Sequence, residues 1–386
     1  MTKEKLFPEF PPVTAEQWKE KIVVDLKGVD FEKKLVWRTN EGFNVNPFYR
    51  IEDIAGLKTT ESLPGIYPYV RGTKKDANSW FVRQDIDVAD FAGANKKALD
   101  ILNKGVDSLG FKIPGDAVNP ENIAILLDGI LPEYIELNFQ TCNMQSVELI
   151  RILTAWFKQK NYDLTKICGS VNIDFIGIIL SKSHVKTEWI EVMTDAVQAA
   201  AGLPMFRTIA VNAHLFNDAG SYITQELGYA LAWGNELLGR MVDADVEVAV
   251  AARQIKFNFG VGSNYFMEIA KFRAARWLWA EIVKAYSLDF VDENAAKMNI
   301  FARTSAFNQT VFDAYVNLLR TQTEAMSASI AGIDSLLVAA FDTPYKTPDD
   351  FSERIARNQQ LLLKEECHFD KVVDPSGGSY YIETLT

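Results

Sequence analysis

The chain has 386 residues, enough for one large barrel with an extension or for two or three ordinary domains. Hydrophobic residues make up 48% and charged residues 24%, a globular balance and not a disordered one. Its 51 acidic and 40 basic side chains leave a net charge of −11, which excludes a nucleic-acid surface over the whole molecule and a basic membrane-surface protein.

The N-terminus, MTKEKLFPEFPPVTAEQW, has neither the apolar core of a signal peptide nor the acid-poor composition of a transit peptide, so cytoplasm is the expected compartment. No apolar run reaches the roughly 18 residues of a membrane-spanning helix. Residues 1–38 read as an arm, because Pro8, Pro11 and Pro12 cannot sit inside a helix. Phe7 and Phe10 in such an arm point either to a partner surface or to its own domain as their resting place. Trp18, Ile22 and Leu26 come next, at helical spacing. Residues 39–79 form a loop-rich lead-in, with Gly42, Pro47, Pro64, Gly65 and Pro68.

From there short β-type runs alternate with long helical ones. Strands are predicted at 80–86, 108–113, 134–139, 166–173, 207–213, 255–260, 297–303 and 335–341. Helices are predicted at 88–104, 146–160, 187–201, 220–238, 264–285, 309–330 and 348–366. In 264–285 the residues Phe266, Ile269, Ala270, Ala274, Trp277 and Ala280 define one apolar stripe. Eight strand–helix units imply a parallel sheet closed into a (β/α)8 TIM barrel, so the fold class is α/β, spanning 80–386 behind an extended N-terminal arm. An open doubly wound sheet is the alternative, and its glycine fingerprint is absent.

The reactive groups of such a barrel lie at the C-terminal ends of its strands. That rule selects Arg83, Gln84, Asp85, Asn138, Gln140, Asn172, Asp174, His214, Asn264, Arg303, Ser305 and Asp342. His214 suits a general acid or a carbonyl-polarising group, and equally a hydrogen-bonded structural histidine. Asp85 and Asp174 suit an acid/base pair or mutually bonded scaffolding. Asp218 reads as an N-cap for the helix after Gly220. Glu268, Lys271, Arg273 and Arg276 read as ion pairs on the outer helical ring, and Asp374 to Ser379 as a turn. Three scattered cysteines and three scattered histidines give no disulfide framework and no metal site.

Several stretches resemble the methylmalonyl-CoA mutase family. They are FGVGSNYFMEIAKFRAARWLWA from Phe259, RTQTEAM from Arg320, DFSERIARNQQ from Asp350 and VDPSGGSYYIETLT from Val373. Weaker ones are WRTNEGFNVNPFYRIED from Trp37, PGIYPYVRG from Pro64 and VRQD from Val82. The resemblance implies a (β/α)8 barrel that admits an acyl-CoA chain along its axis, and a C-terminal cobalamin-binding domain. It also implies adenosylcobalamin radical chemistry interconverting (R)-methylmalonyl-CoA and succinyl-CoA.

The chain departs from the catalytic pattern at specific places. The cobalamin motif Asp-x-His-x-x-Gly is matched by none of the histidines, and the cobalamin domain is not found in this chain. The stretch T-M-Y-x-x-R-P-W is replaced by GTKKDANSW before the first strand. The family's Gly-Tyr-His becomes Asn212-Ala213-His214, and its strand-four Gln becomes Asn172. Its Arg-Thr-His-Ser-Gln run falls on residues 299–303, which puts Asn299 in place of a carboxylate-binding arginine.

The chain is therefore most similar to the small, non-catalytic subunit of heterodimeric members. That similarity implies a large catalytic subunit as partner, with the adenosylcobalamin bound there, and a barrel axis filled by bulky groups such as Phe301 and Phe307. On this reading His214 is a relic. Two alternatives stay open: an active acyl-CoA mutase of altered substrate range, in which Gln84, Asn172 and His214 would meet the substrate, and a stand-alone acyl-CoA-binding barrel without radical chemistry. Neither nucleic acid nor a membrane is an expected partner.

Overall fold

A computed structural model describes residues 7–182, 189–286 and 292–386. The first six residues of the predicted arm, His184 and the predicted helix start at Thr187 lie outside the described residues. Eight parallel strands close into a barrel in chain order: β1 (Phe81–Asp87), β2 (Ser108–Lys112), β3 (Glu136–Gln140), β4 (Cys168–Ile173), β5 (Met205–Val211), β6 (Ile255–Val261), β7 (Asn299–Thr304) and β8 (Ser335–Leu337). The closure is made by β8, which pairs with both β7 and β1.

Strand β6, IKFNFGV, shows how sequence sets the two faces. Every residue of it is buried, and the side chains alternate between the two sides. Phe257 and Phe259 point outward into helix α10 (Tyr265–Ala285), meeting Trp279 at 4.8 Å and Phe272 at 5.7 Å between ring centroids. Such edge-on aromatic pairs add about 0.5–1.5 kcal/mol each beyond the area they bury. Lys256 and Asn258 point inward, and the same alternation puts Glu136 and Asn138 of β3 and Ser170 of β4 inside. The barrel is apolar on its outside and polar within.

The helices that matter to the site are α1 (Ala15–Asp25), α2 (Phe91–Leu102), α3 (Pro120–Leu126), α4 (Asn143–Gln159), α5 (Phe175–Lys182), α6 (Trp189–Ala199), α7 (His214–Asp218), α8 (Ile223–Asp243), α9 (Val248–Gln254), α10, α11 (Val316–Ile330), α12 (Asp350–Leu361) and α13 (Tyr380–Leu385). Short helices α3, α5, α7, α9 and α13 are additions to the predicted set. Strand β8 pairs over three residues only, and the predicted remainder, 338–341, runs as a loop. The helix expected from 309 starts at Val316, because the Asn317 side chain holds Thr310 by both its N–H, at 3.1 Å, and its carbonyl, at 2.9 Å.

Helix α10 is buried nearly all round, not along one stripe, and Phe266 of the expected stripe is exposed. Consequently Glu268, Lys271, Arg273 and Arg276 are not on a solvated ring: all four are buried. Arg273 reaches Asp374 and, at 2.8 Å, Glu383, while Arg71 of the lead-in donates from Nε to Asp374 Oδ2 at 2.8 Å. The turn at Asp374 is thus the knot that ties lead-in, α10 and the C-terminal segment together.

Helix α1 opens with a capping box between Thr14 and Gln17 and buries no residue. It touches the lead-in through Trp18, stacked on Phe48 at 5.3 Å, and the carbonyl of Val13, just before the helix, accepts from Arg50 Nη2 at 2.7 Å. Among the described residues no helix is long and apolar enough to cross a membrane.

Candidate functional site

A cavity of about 820 Å³ opens at the C-terminal mouth of the barrel. Its floor is a charged layer. Lys256 on β6 reaches across the interior and donates to Glu136 Oε1 on β3 at 2.9 Å and to Asn138 Oδ1 at 2.7 Å. Ser108 Oγ donates to Glu136 Oε2 at 2.6 Å, and Ser170 Oγ to Asn138 Oδ1 at 2.7 Å. Burial alone would raise the Glu136 carboxyl, but Lys256, Arg83 and these hydrogen bonds outweigh it and hold the group at about 2. The layer is ionised, bonded and closed.

An amide tier stands above the floor. Asn258 donates to Asn212 at 2.6 Å, and Asn212 donates in turn to Asp174 at 2.6 Å and to Asn172 at 3.2 Å. Asp174 also accepts from the backbone N–H of Gly177 at 2.7 Å, which makes it the cap of α5. Burial pushes its carboxyl up to about 6. Asp85 lies elsewhere on the wall, taking Arg83 Nε at 2.7 Å, so the two aspartates act separately and not as a bonded pair. The Arg83 guanidinium lies 4.2 Å from the centre of the Phe301 ring. Gly110 makes room for this arrangement: a Cβ there would collide with the Asp85 carboxylate.

His214 begins α7, with Nδ1 3.6 Å from Asp218 Oδ2. Burial, with Arg303 and Arg83 nearby, lowers its basicity despite Asp218, which keeps the ring neutral near pH 7. Asp218 is not the expected N-cap, since α8 starts after Tyr222. Asp218 accepts from the Ala306 N–H at 3.0 Å and faces Arg303 at 3.7 Å. Gln84 is engaged by α12: its amide donates to Glu353 at 2.9 Å and accepts from Arg357 at 3.4 Å.

The mouth therefore gathers Arg83, Gln84, Asp85, Asn138, Gln140, Asn172, Asp174, His214 and Arg303. Asn264, Ser305 and Asp342 lie away from it. Asn264 contacts Met267, Ser305 is buried beside Val261, and Asp342 is buried with Lys346 at 3.1 Å. Phe301 does project inside, whereas Phe307 is 64% exposed on the rim against Gly220 and fills no part of the axis. The residues missed from sequence are Glu136, Lys256 and Asn258. Their signal was present as polar residues at every second position of otherwise apolar strands. Among the described residues no group of His, Cys, Asp or Glu side chains is arranged to hold a metal ion.

A methylmalonyl-CoA mutase family model matches residues 38–117 and 115–386. The small subunit of methylmalonyl-CoA mutase from Porphyromonas gingivalis is 60% identical over 385 residues, covering 100% of this chain and 62% of that protein. The small subunit from Streptomyces virginiae is 31% identical, covering 99% of this chain and 62% of its own length. The large subunit from Porphyromonas gingivalis is 29% identical, covering 92% of this chain and 54% of itself. The chain thus spans about three fifths of the length of the small subunits it matches.

Proposed function

The chain belongs to the methylmalonyl-CoA mutase family, and we propose that it is the barrel portion of a small, non-catalytic subunit that pairs with a large catalytic subunit in a cytoplasmic heterodimer. The holoenzyme would interconvert (R)-methylmalonyl-CoA and succinyl-CoA. Adenosylcobalamin, which supplies the radical when bound, would sit in the large subunit.

One observation carries this reading: the Lys256–Glu136 pair crosses the axis that a thioester chain would have to thread. Passage would mean separating two buried, hydrogen-bonded charges, which costs several kcal/mol. Among the described residues neither histidine fits the cofactor. His214 is buried beside Asp218, and His368, though exposed, stands outside the cavity on the C-terminal segment. The role left to this chain is to support its partner. The arm, 1–38, would lie on the large subunit, the lead-in, 39–79, would anchor the arm, and 80–386 would be the body.

A second reading, an active acyl-CoA mutase of altered range, draws on the open mouth, where Asn172 and His214 line the cavity. Its third candidate, Gln84, is already spent on Glu353 and Arg357. Analytical co-elution with the large subunit from the same source decides between them. A stable one-to-one complex is expected, with no acyl-CoA binding by this chain alone. A self-contained particle that ignores the large subunit and binds acyl-CoA would replace the first reading with the second.

A further inference from the structure

Helix α12 turns one face to the cavity at the mouth. Glu353, Ala356, Arg357 and Gln360 recur there at helical spacing. The run Val338 to Ala340 after β8, with Pro348 just ahead of the helix, gives the same cavity an apolar wall. Glu353 is occupied: it accepts from Lys97 Nζ at 2.7 Å and from Gln84 Nε2 at 2.9 Å.

Arg357 and Gln360 are not. Arg357 exposes 7% of its surface, its Nε has no partner, and its one side-chain hydrogen bond is the long one from Nη1 to Gln84 Oε1 at 3.4 Å. Among the described residues no carboxylate stands within ion-pairing distance of it. Gln360 is 1% exposed, and its side chain makes no hydrogen bond to any described residue. The other cations of the cavity are accounted for. Arg83, Lys112, Lys256 and Arg303 each face a carboxylate, and Lys182 stands exposed at the end of α5.

A guanidinium held out of bulk water without an anion is costly, and so is a buried amide without partners. The fold does not need either one. Helix α12 is docked by Glu353 and by Gln359, which donates to the Leu318 carbonyl at 2.7 Å. We propose that Arg357 and Gln360 form a binding site for a small monocarboxylic acid with an apolar body. Its carboxylate lies on the Arg357 guanidinium and takes a hydrogen bond from the Gln360 amide, and its body rests on Val338 to Ala340 and Pro348.

The charge count sets the ligand class. One buried cation lacks an anion, which calls for one negative charge, and a planar guanidinium matches the geometry of a carboxylate. A dianion would bring its second charge into a cavity that already holds Asp85, Asp174 and Glu353. The acid enters by the open mouth and stays above the Lys256–Glu136 floor, so the axis need not open. The site belongs to this chain alone and does not rest on the subunit reading.

Isothermal titration of the intact chain with benzoate tests this, with acetate and succinate for comparison. One saturable site per chain is expected, and benzoate should bind tightest because it alone covers the apolar wall. Arg357→Met should weaken benzoate by about tenfold or more. It should leave the thermal midpoint level or higher, since it removes a cation that pairs with no carboxylate; a purely structural arginine would lower it. Gln360→Leu should weaken binding by a smaller factor. Arg354→Met, on the exposed side of the same helix, should not change it. Absence of saturable benzoate binding overturns the proposal, and so does binding that survives Arg357→Met. Succinate binding as tightly as benzoate overturns the assignment of a single charge. Should Arg357→Met not fold, nitrogen-15 NMR of the native arginine side chains decides. A benzoate-dependent shift at the Arg357 guanidinium supports the site, and shifts confined to other arginines overturn it.

Discussion

Lys256 is the residue on which the interior of this barrel turns. It meets Glu136 from across the barrel interior, and both charges are buried. Lys256→Met is expected to cost about 3–5 kcal/mol in urea unfolding at neutral pH, because it strands a buried carboxylate. Adding Glu136→Leu should recover most of that loss. The native pair also sets an acid limb. Glu136 is depressed to about 2 from an ordinary 4.5, so its contribution is present above pH 4.5 and is lost as pH falls toward 2. In Lys256→Met that limb should disappear, and the deficit against the native protein should shrink at low pH.

Helix α8 shows how little slack the outer layer has. Gly234 faces β6 where a Cβ would fall 2.6 Å from the Phe257 ring and 3.1 Å from that of Trp279. Gly234→Ala gains helix propensity yet should lower stability by about 1–3 kcal/mol, read as a fall in the unfolding midpoint, since the rings cannot retreat into a packed layer. Asp374→Ala is expected to cost more, about 3–5 kcal/mol, because Arg71 loses its anion and the buried Arg273 is left with Glu383 alone. Helix α10 marks the limit of what sequence reveals about elements. Its periodicity predicts a helix, and a helix is found. Which faces are covered depends on a segment about a hundred residues later: Tyr381 packs edge-on against Phe266 at 5.4 Å, and Glu383 takes Arg273. Spacing along a helix carries no record of such distant partners, which is why buried ion pairs read as surface ones.

At the scale of the whole molecule the barrel was legible because each strand–helix unit repeats the same local signal, and eight such units have one compact closure. The site was legible by half. Strand ends pointed to His214, Asn172 and Arg83, but the floor formed by Glu136 and Lys256 needed a structure to show that β3 and β6 face each other across the axis. The arm is tested at this scale too. If it lies on a large subunit, deleting residues 1–36 should weaken co-elution with that subunit while leaving the thermal midpoint of the barrel almost unchanged, since Val36 is the one buried residue among residues 7–36.

That near-absence of burial also makes the arm separable. Lys27 and Gly28, both exposed and both with positive φ, form the exit from α1. Trypsin should cut after Lys27 in the free chain and leave the barrel whole, so a bound large subunit would be read as a missing band on a gel.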